Sequence, residues 1–371
     1  MPGFTLPFYQ LPDFTAEPFQ SAPVVRFQRV LKKGVAPEGY HATSIYPEYF
    51  HIRKGEWILL RESRMDCVVV RTHSGDLEVN EFRHLKTGDE VACGRGENGE
   101  DGIFVHTHAF RFGEDLSDKF LFRSRPTRET SFSIDYDELY SLLKYERKKG
   151  FILWVLGPAV VFDRDARKSF VSLVEHGYVH CLFAVNALAT HDIEGALFGT
   201  ALGQDIYSKH SMHLGHYNHL DALNRVRAAG SIAMGLESGM IKDGIMRILI
   251  ARKIPYVLAG SIRDDGPLPE VIVDVYEAQN KMRALARRAT TVIALASQLH
   301  SIATGNMVPS YTVTGAGKVR PVYFYTVDMS EFAVSKLANR GSLTVRSILT
   351  NVQDFIVTVQ RGLMASRNRL S

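Results

Sequence analysis

The sequence predicts an α/β protein of two domains, a smaller β-rich one followed by a larger one built on a parallel sheet with helices on both faces. Three observations support this. Short β-type runs crowd the first third of the chain: VVRFQRVLK, EWILLRES, MDCVVVRT and DEVACG, separated by turn signals such as HSGD and KTGD. Beyond Asp135 the pattern becomes helix, strand, helix, strand, the rhythm of a parallel sheet covered on both sides. The 371 residues, 45% hydrophobic and 23% charged, have an ordinary globular composition and are long enough for two domains.

Taken in order, residues 1–25 are rich in Pro and Phe without a clear period and are expected to form an arm packed on another part of the molecule. Residues 26–134 form the β-rich cap domain, in which KTGDEVACG reads as a tight turn feeding a strand of a small barrel or sandwich. SRPTRETSF reads as a crossover into the sheet domain, residues 135–371. There, five elements end in small or polar residues. FILWVLGPAVV stops at Gly157, Pro158 and Ala159, and HCLFAVNALATHDIE stops at Asn186 and Ala187 before a helix carrying His191, Asp192 and Glu194. PYVLAGSIRDDGP stops at Gly260 and Ser261, with Arg263, Asp264 and Asp265 beyond. VIALASQLHSIATGNM brings Thr304, Gly305, Asn306 and Met307, after either a strand or a helix, and PVYFYTVDMSEF places Asp328 after an aromatic strand.

Open parallel sheets bind ligands at the carboxyl ends of their strands, so these ends mark the site. Gly and Ala let backbone N–H groups approach a pyrophosphate, and helix N-termini favour its charge. Asp328 either accepts hydrogen bonds from ribose hydroxyls or caps the helix of SEFAVSKLANRG. In the first role it favours NAD over NADP, unless Lys318 or Arg320 reaches the extra phosphate. No G-x-G-x-x-G follows the first strand, so the residues alone give a nucleotide or dinucleotide site.

Other classes are disfavoured. The longest apolar runs are too short to span a bilayer, and the N-terminus lacks the basic start and apolar core of a secretory signal. Cys67, Cys93 and Cys181 lie far apart, without the spacing of a disulfide framework or zinc site, which fits a cytoplasmic protein. The net charge of +4 comes from interspersed residues, without the basic run of a nucleic-acid surface.

Several long motifs resemble one family. GPAVV, NALATHDIEGALFGTALGQDI, GHYNHLDALNRVRAAGSI, AGSIRDDGPLPEVIVDVYEAQNKMR, IATGNMVPSY and VSKLANRG with ILTNVQDF are similar to the LOR/SDH-region family. These are the archaeal-type NAD-dependent ornithine cyclodeaminases, related to the C-terminal part of cyanobacterial arginine dihydrolases. Upstream, APEGYHATSIYPEYFHIRKGEW and MDCVVV resemble the family's β-rich subdomain, so that the resemblance spans roughly residues 24–363. It implies a Rossmann-like NAD domain akin to that of deoxyhypusine synthase, whose Gly- and Asn-containing strand ends replace the missing fingerprint. It also implies the reaction: NAD-dependent cyclodeamination of ornithine, or a related amino acid, to proline and ammonia. The α-carbon is oxidised, the distal amine attacks the imine, ammonia leaves, and the ring is reduced again without net redox change.

The resemblance further implies a homo-oligomer acting on a small amino acid, with NAD held by the five element ends together with Asp192, Gly260, Ser261 and Asp264. Arg263 is a candidate for the substrate carboxylate, or it neutralises Asp265 in a solvated turn. Asp264 or Asp265 accepts amine protons or binds the nicotinamide ribose. Asp66 is either a base reaching the cleft or a turn carboxylate, and Cys67 is either a buried apolar residue or a nucleophile. Tyr40, His41 and Tyr46 line the substrate pocket or form an aromatic surface loop. His216, Asn218 and His219 are structural or, with further ligands, metal-binding, although no metal is expected. Where the family usually has an Asn-His pair before the proline, this chain has Ile45-Tyr46 before Pro47, a departure open to two readings, a changed substrate or a closed substrate pocket. Two alternatives follow: an NAD(P)-dependent imine or amino-acid oxidoreductase, or a catalytically silent NAD-binding assembly protein.

Overall fold

The computed structural model describes residues 4–111, 132–330 and 343–365. Its centre is a six-stranded, wholly parallel sheet in the second half of the chain. The strands are β1 (Ile152–Leu156), β2 (Cys181–Val185), β3 (Tyr256–Ala259), β4 (Thr291–Leu295), β5 (Tyr323–Asp328) and β6 (Thr344–Leu349). They lie in the order β3-β2-β1-β4-β5-β6. This is the Rossmann order, in which the chain reverses its direction of growth between β1 and β4. β1 and β4 are buried at every position, which is why they read as continuous apolar runs. β6 escaped the sequence reading because it is an edge strand: TVRSIL carries Arg346 and Ser347, and only Ile348 is buried.

Nine helices among the described residues cover the sheet: α1 (Phe132–Lys149), α2 (Arg164–Glu175), α3 (Asn186–Phe198), α4 (Asn218–Ala229), α5 (Ile232–Glu237), α6 (Ile245–Ala251), α7 (Val275–Ala286), α8 (Gln298–Met307) and α9 (Val352–Ala365). Successive side chains of a strand point to opposite faces, and β1 divides accordingly. Trp154 and Leu156 pack with Leu142 of α1, Phe170 of α2, Leu188 of α3 and Phe355 of α9. Leu153 and Val155 pack on the other face with Ala278 and Met282 of α7 and Met307 of α8. Burial on both faces, as the alternating pattern implied, is therefore met.

The N-terminal third is antiparallel. A four-stranded sheet (Arg26–Arg29, Glu90–Cys93, Val68–Arg71, Leu77–Asn80) faces a three-stranded one (Glu56–Leu59, Glu48–Arg53, Ile103–Val105). Phe50, Leu60, Cys67, Val69 and Ile103 fill the space between them. KTGD turns at Gly88, with φ +96, into the strand Glu90–Cys93, as its residues suggested. The N-terminal arm packs on the three-stranded sheet, where Phe14 stacks on Trp57 at 4.8 Å. The second half returns a hairpin to this region: Tyr311–Val313 pairs with both Val319–Pro321 and Glu62–Ser63. Polar contacts between the two parts run along α7, from Arg83 to Gln279 and Asn280, from Glu81 to Arg283, and from Glu62 to Arg287. The stretch assigned to the crossover lies outside the described residues up to Phe132.

Candidate functional site

In a sheet of this order the crevice lies at the switch point, here between the carboxyl ends of β1 and β4. Gly157, the first residue beyond β1, donates from its N–H to the Leu295 carbonyl at 2.8 Å. A Cβ on Gly157 would stand 2.7 Å from the carbonyl carbon of Ala296 and closer still to its oxygen, so backbone here meets backbone. Ala296 itself is left-handed, at φ +47. A non-glycine residue in that region costs of order 1–3 kcal/mol, and such strain gathers at functional sites.

Helix ends around the crevice differ in how they are capped. After β1, Asp163 caps α2 by accepting from the N–H groups of Asp165 and Ala166, both at 2.9 Å, so a carboxylate already answers that positive end. α3 starts behind Val185, which has no capping side chain, and α8 starts behind Ser297, whose hydroxyl makes no cap bond. Two uncapped helices of 13 and 10 residues therefore present free N–H groups and their dipoles beyond β2 and β4, on either side of Gly157. This arrangement fits a dinucleotide pyrophosphate without a glycine-rich loop after β1.

Four of the expected strand ends meet at this edge. Gly157, Pro158 and Ala159 follow β1. Asn186 opens α3, and its side-chain oxygen accepts from the Leu268 N–H at 3.1 Å, tying the loop after β3 to α3, with half-buried Ala187 beside it. Gly260 and Ser261 follow β3 in a closed turn: Ser261 N–H donates to Asp264 Oδ2 at 2.9 Å and Asp264 N–H to the Ser261 carbonyl at 3.0 Å. The turn holds Asp264 half-buried and turns Arg263 and Asp265 outward. Among the described residues Arg263 forms no ion pair, so it does not neutralise Asp265. Asp328 ends β5 and accepts from Ser330 N–H at 2.9 Å, and the helix it was expected to cap lies outside the described residues.

The remaining expectations separate from the crevice. β4 stops at Leu295, so the carboxyl edge there is Ala296-Ser297, and Thr304, Gly305, Asn306 and Met307 form the last turn of α8. Thr304 and Met307 are fully buried, and the Thr304 hydroxyl has no hydrogen-bond partner among the described residues. α8 runs from the carboxyl edge towards the amino edge, where the Ser310 carbonyl accepts from Val322 N–H just before β5. The Ser310 hydroxyl donates to the Ile45 carbonyl, so the Ile45-Tyr46 loop, with Tyr46 half-buried, docks at that opposite end. Tyr40 packs edge-on against Phe82 at 5.2 Å, and His41 is buried 2.9 Å from Glu48.

Asp192, expected at the cofactor, is fully buried: it accepts from Arg167 Nε at 2.6 Å and from the N–H groups of Ile245 and Met246, which uses both oxygens to join α2, α3 and α6. Asp66 is an exposed turn residue at φ +63, and burial pushes the neighbouring Cys67 thiol up to about 11, the behaviour of a core residue. Arg320 is buried in an ion pair with Glu146 and Lys318 is exposed on the hairpin before β5, so neither lies at the carboxyl edge. Burial pushes the Glu194 carboxyl up, but hydrogen bonds led by His191 outweigh it and hold Glu194 below the usual range. Asn218 donates to Thr200, His216 is exposed, and no group of three metal-ligating side chains occurs among the described residues.

The sequence reading missed His300. It stands half-buried on the first turn of α8, and neither ring nitrogen finds a hydrogen-bond partner among the described residues. Burial pushes its pKa below the ordinary value, and the Asp264 charge opposes that shift. A single His in SQLHSIATG carries no motif or period that would have singled it out.

The model of the ArgZ-like arginine dihydrolase C-terminal Rossmann fold matches residues 139–359. Ornithine cyclodeaminase of Methanocaldococcus jannaschii is 39% identical over 338 residues, covering 90% of this chain and 76% of that protein. The crystal structure of a LOR/SDH protein from Methanococcus maripaludis superposes with a TM-score of 0.83 at 33% identity, over 93% of this chain and 99% of the other. The bifunctional arginine dihydrolase/ornithine cyclodeaminase AgrE of Nostoc sp. is 33% identical over 91% of this chain, which spans 46% of it. An AgrE complex with ornithine and NAD+ matches with a TM-score of 0.58 at 30% identity, over 95% of this chain and 47% of the other.

Proposed function

The chain belongs to the ArgZ-like, LOR/SDH family of ornithine cyclodeaminases, and on that premise we propose that it is an enzyme that converts ornithine to proline and ammonia using NAD bound at the carboxyl edge of its Rossmann sheet. The observation that carries the reading is the switch point between β1 and β4, where Gly157 packs on the Ala296 backbone and the uncapped ends of α3 and α8 lie on either side.

When bound, NAD supplies a reversible acceptor for the hydride of the substrate α-carbon. The chain supplies the rest. The free N–H groups of α3 and α8 hold the pyrophosphate, and Gly157 lets the dinucleotide lie against backbone. Asp328 faces ribose hydroxyls at the end of β5. Arg263, exposed and without an ion pair among the described residues, binds the substrate carboxylate, and Asp264 stands beside the reacting amines. Ile262 is fully exposed on the loop that carries Asp264, and Leu299, 73% exposed, precedes His300 on the first turn of α8. These apolar side chains shield the imine from water once substrate is bound.

The departure at Ile45-Tyr46 docks on Ser310 near the amino edge, which leaves the crevice open. A cytoplasmic location and a homo-oligomeric state go with this reading, and no helix among the described residues is long and apolar enough to cross a membrane. The test is to incubate the protein with ornithine and NAD+: proline and ammonia should form in equal amounts without accumulation of NADH. Accumulation of NADH in step with product would make the protein a net oxidoreductase instead.

A further inference from the structure

The chemistry proposed above contains one step that needs an acid–base group and not a cation or an anion site. Between oxidation and reduction, one amine must replace another at the same carbon. The distal nitrogen has to arrive without a proton, and the α-nitrogen has to leave with an extra one. A group that exchanges protons near neutrality, reaches both nitrogens and starts unprotonated suits this step.

Among the described residues at the carboxyl edge, the groups beyond β1 are Gly157, Pro158 and Ala159, and those beyond β2 are Asn186 and Ala187, none of which titrates. Asp328 is engaged by Ser330 N–H, and Asp264 by Ser261 N–H. His300 differs from all of these. It lies on the first turn of α8, four residues past the strained Ala296, where the charge of Asp264 on the loop after β3 acts on it. Its ring nitrogens are without hydrogen-bond partners among the described residues, so no structural bond occupies them.

We propose that His300, on the first turn of α8 beyond the carboxyl end of β4, is the catalytic acid–base of the amine exchange, with Asp264 of the loop after β3 as its positioning residue. This rests on the cyclodeaminase reading. As the distal nitrogen attacks the imine carbon, a new C–N bond forms and the imidazole removes a proton from that nitrogen. The imidazolium then delivers a proton to the α-nitrogen, whose C–N bond breaks as ammonia leaves. The proton count closes on the ring imine and ammonia, and no electrons are exchanged in the step. Burial, which holds the imidazole in its neutral form, prepares it to accept first, and the Asp264 charge stabilises the cation that follows.

The test replaces His300 by Gln and by Asn and follows a single turnover of ornithine with enzyme and NAD+ in excess. Proline formation should slow by roughly 10²–10⁴-fold, the range for a lost acid–base group. NADH absorbance should build up within that turnover, because oxidation still proceeds while exchange stalls. NAD+ affinity, by titration, and melting temperature should match the parent. Proline formation at the parental rate would overturn the assignment. So would slow proline formation without NADH build-up, or a loss of NAD+ affinity or melting temperature that accounts for the defect. A parent protein that makes no proline from ornithine would instead overturn the cyclodeaminase reading, and this assignment with it.

Discussion

Replacing Gly157 by Ala tests the crevice with the smallest possible change. Gly157 has an ordinary φ of −81°, so its backbone angles would accept alanine. The neighbour would not: the added carbon would lie 2.7 Å from the Ala296 carbonyl carbon, where ordinary contacts begin at 3.4 Å. The obstructing atoms are backbone at the end of β4 and cannot rotate away, so the ends of β1 and β4 must move apart. That movement strains the 2.8 Å hydrogen bond from Gly157 N–H to the Leu295 carbonyl. Overpacking costs about 1–3 kcal/mol and a weakened hydrogen bond about 1 more, so stability should fall by about 2–4 kcal/mol. NAD+ affinity should fall as well, since parting the ends of β1 and β4 displaces the backbone on which the dinucleotide is proposed to lie. Denaturant unfolding and NAD+ titration measure the two effects. Gly315→Ala is the control, because no atom lies within 4 Å of a Cβ there. A Gly157→Ala protein with parental stability and affinity would show that β1 and β4 do not enclose the site as described.

Three further outcomes are expected. Asp192→Ala removes one of the two carboxylates on buried Arg167, leaving Asp243, and the acceptor of the first N–H groups of α6, so it should cost about 1–3 kcal/mol and leave the NAD+ affinity of the folded protein unchanged; weakened affinity at parental stability would return Asp192 to the cofactor. The rate of proline formation should rise with pH through the pKa of His300, with the midpoint of the rise below the ordinary value of 6.5, because burial lowers that pKa. Asp264 opposes the shift, so Asp264→Asn should move the rise to lower pH, and an unmoved profile would separate the two residues. NAD should be preferred over NADP, since Asp328 repels an added phosphate and buried Arg320 is held by Glu146 away from the edge; a measured preference for NADP would remove Asp328 from the ribose.

The sequence exposed the parallel sheet because β1 to β5 are largely apolar, a pattern only strands buried on both faces can keep. It hid β6, whose edge position allows Arg346 and Ser347 into the strand. The strand ends with glycine or proline were legible at Gly157 and Gly260, where backbone geometry needs those residues. Ala296-Ser297 was not, because its left-handed turn is imposed by the surrounding fold and carried by an alanine. The TGNM segment looked like a strand end because its small and polar residues match the composition of one, while its place in the last turn of α8 depends on where β4 stops. Asp192 had the residue type of a ligand, and burial against Arg167 gave it a structural role that composition cannot signal. His300 carries no motif in the sequence, and its place on the first turn of α8, half-buried and under the charge of Asp264, follows from the fold alone.

The most direct measurement uses ornithine carrying deuterium at its α-carbon, converted by the protein with unlabelled NAD+ and analysed as proline by mass spectrometry. Internal oxidation and re-reduction on one bound cofactor should return the label, giving proline that retains deuterium at the α-carbon while no NADH accumulates. Proline without the label, or label collecting in free NADH, would contradict a reaction completed within a single enclosed site at the carboxyl edge of this sheet.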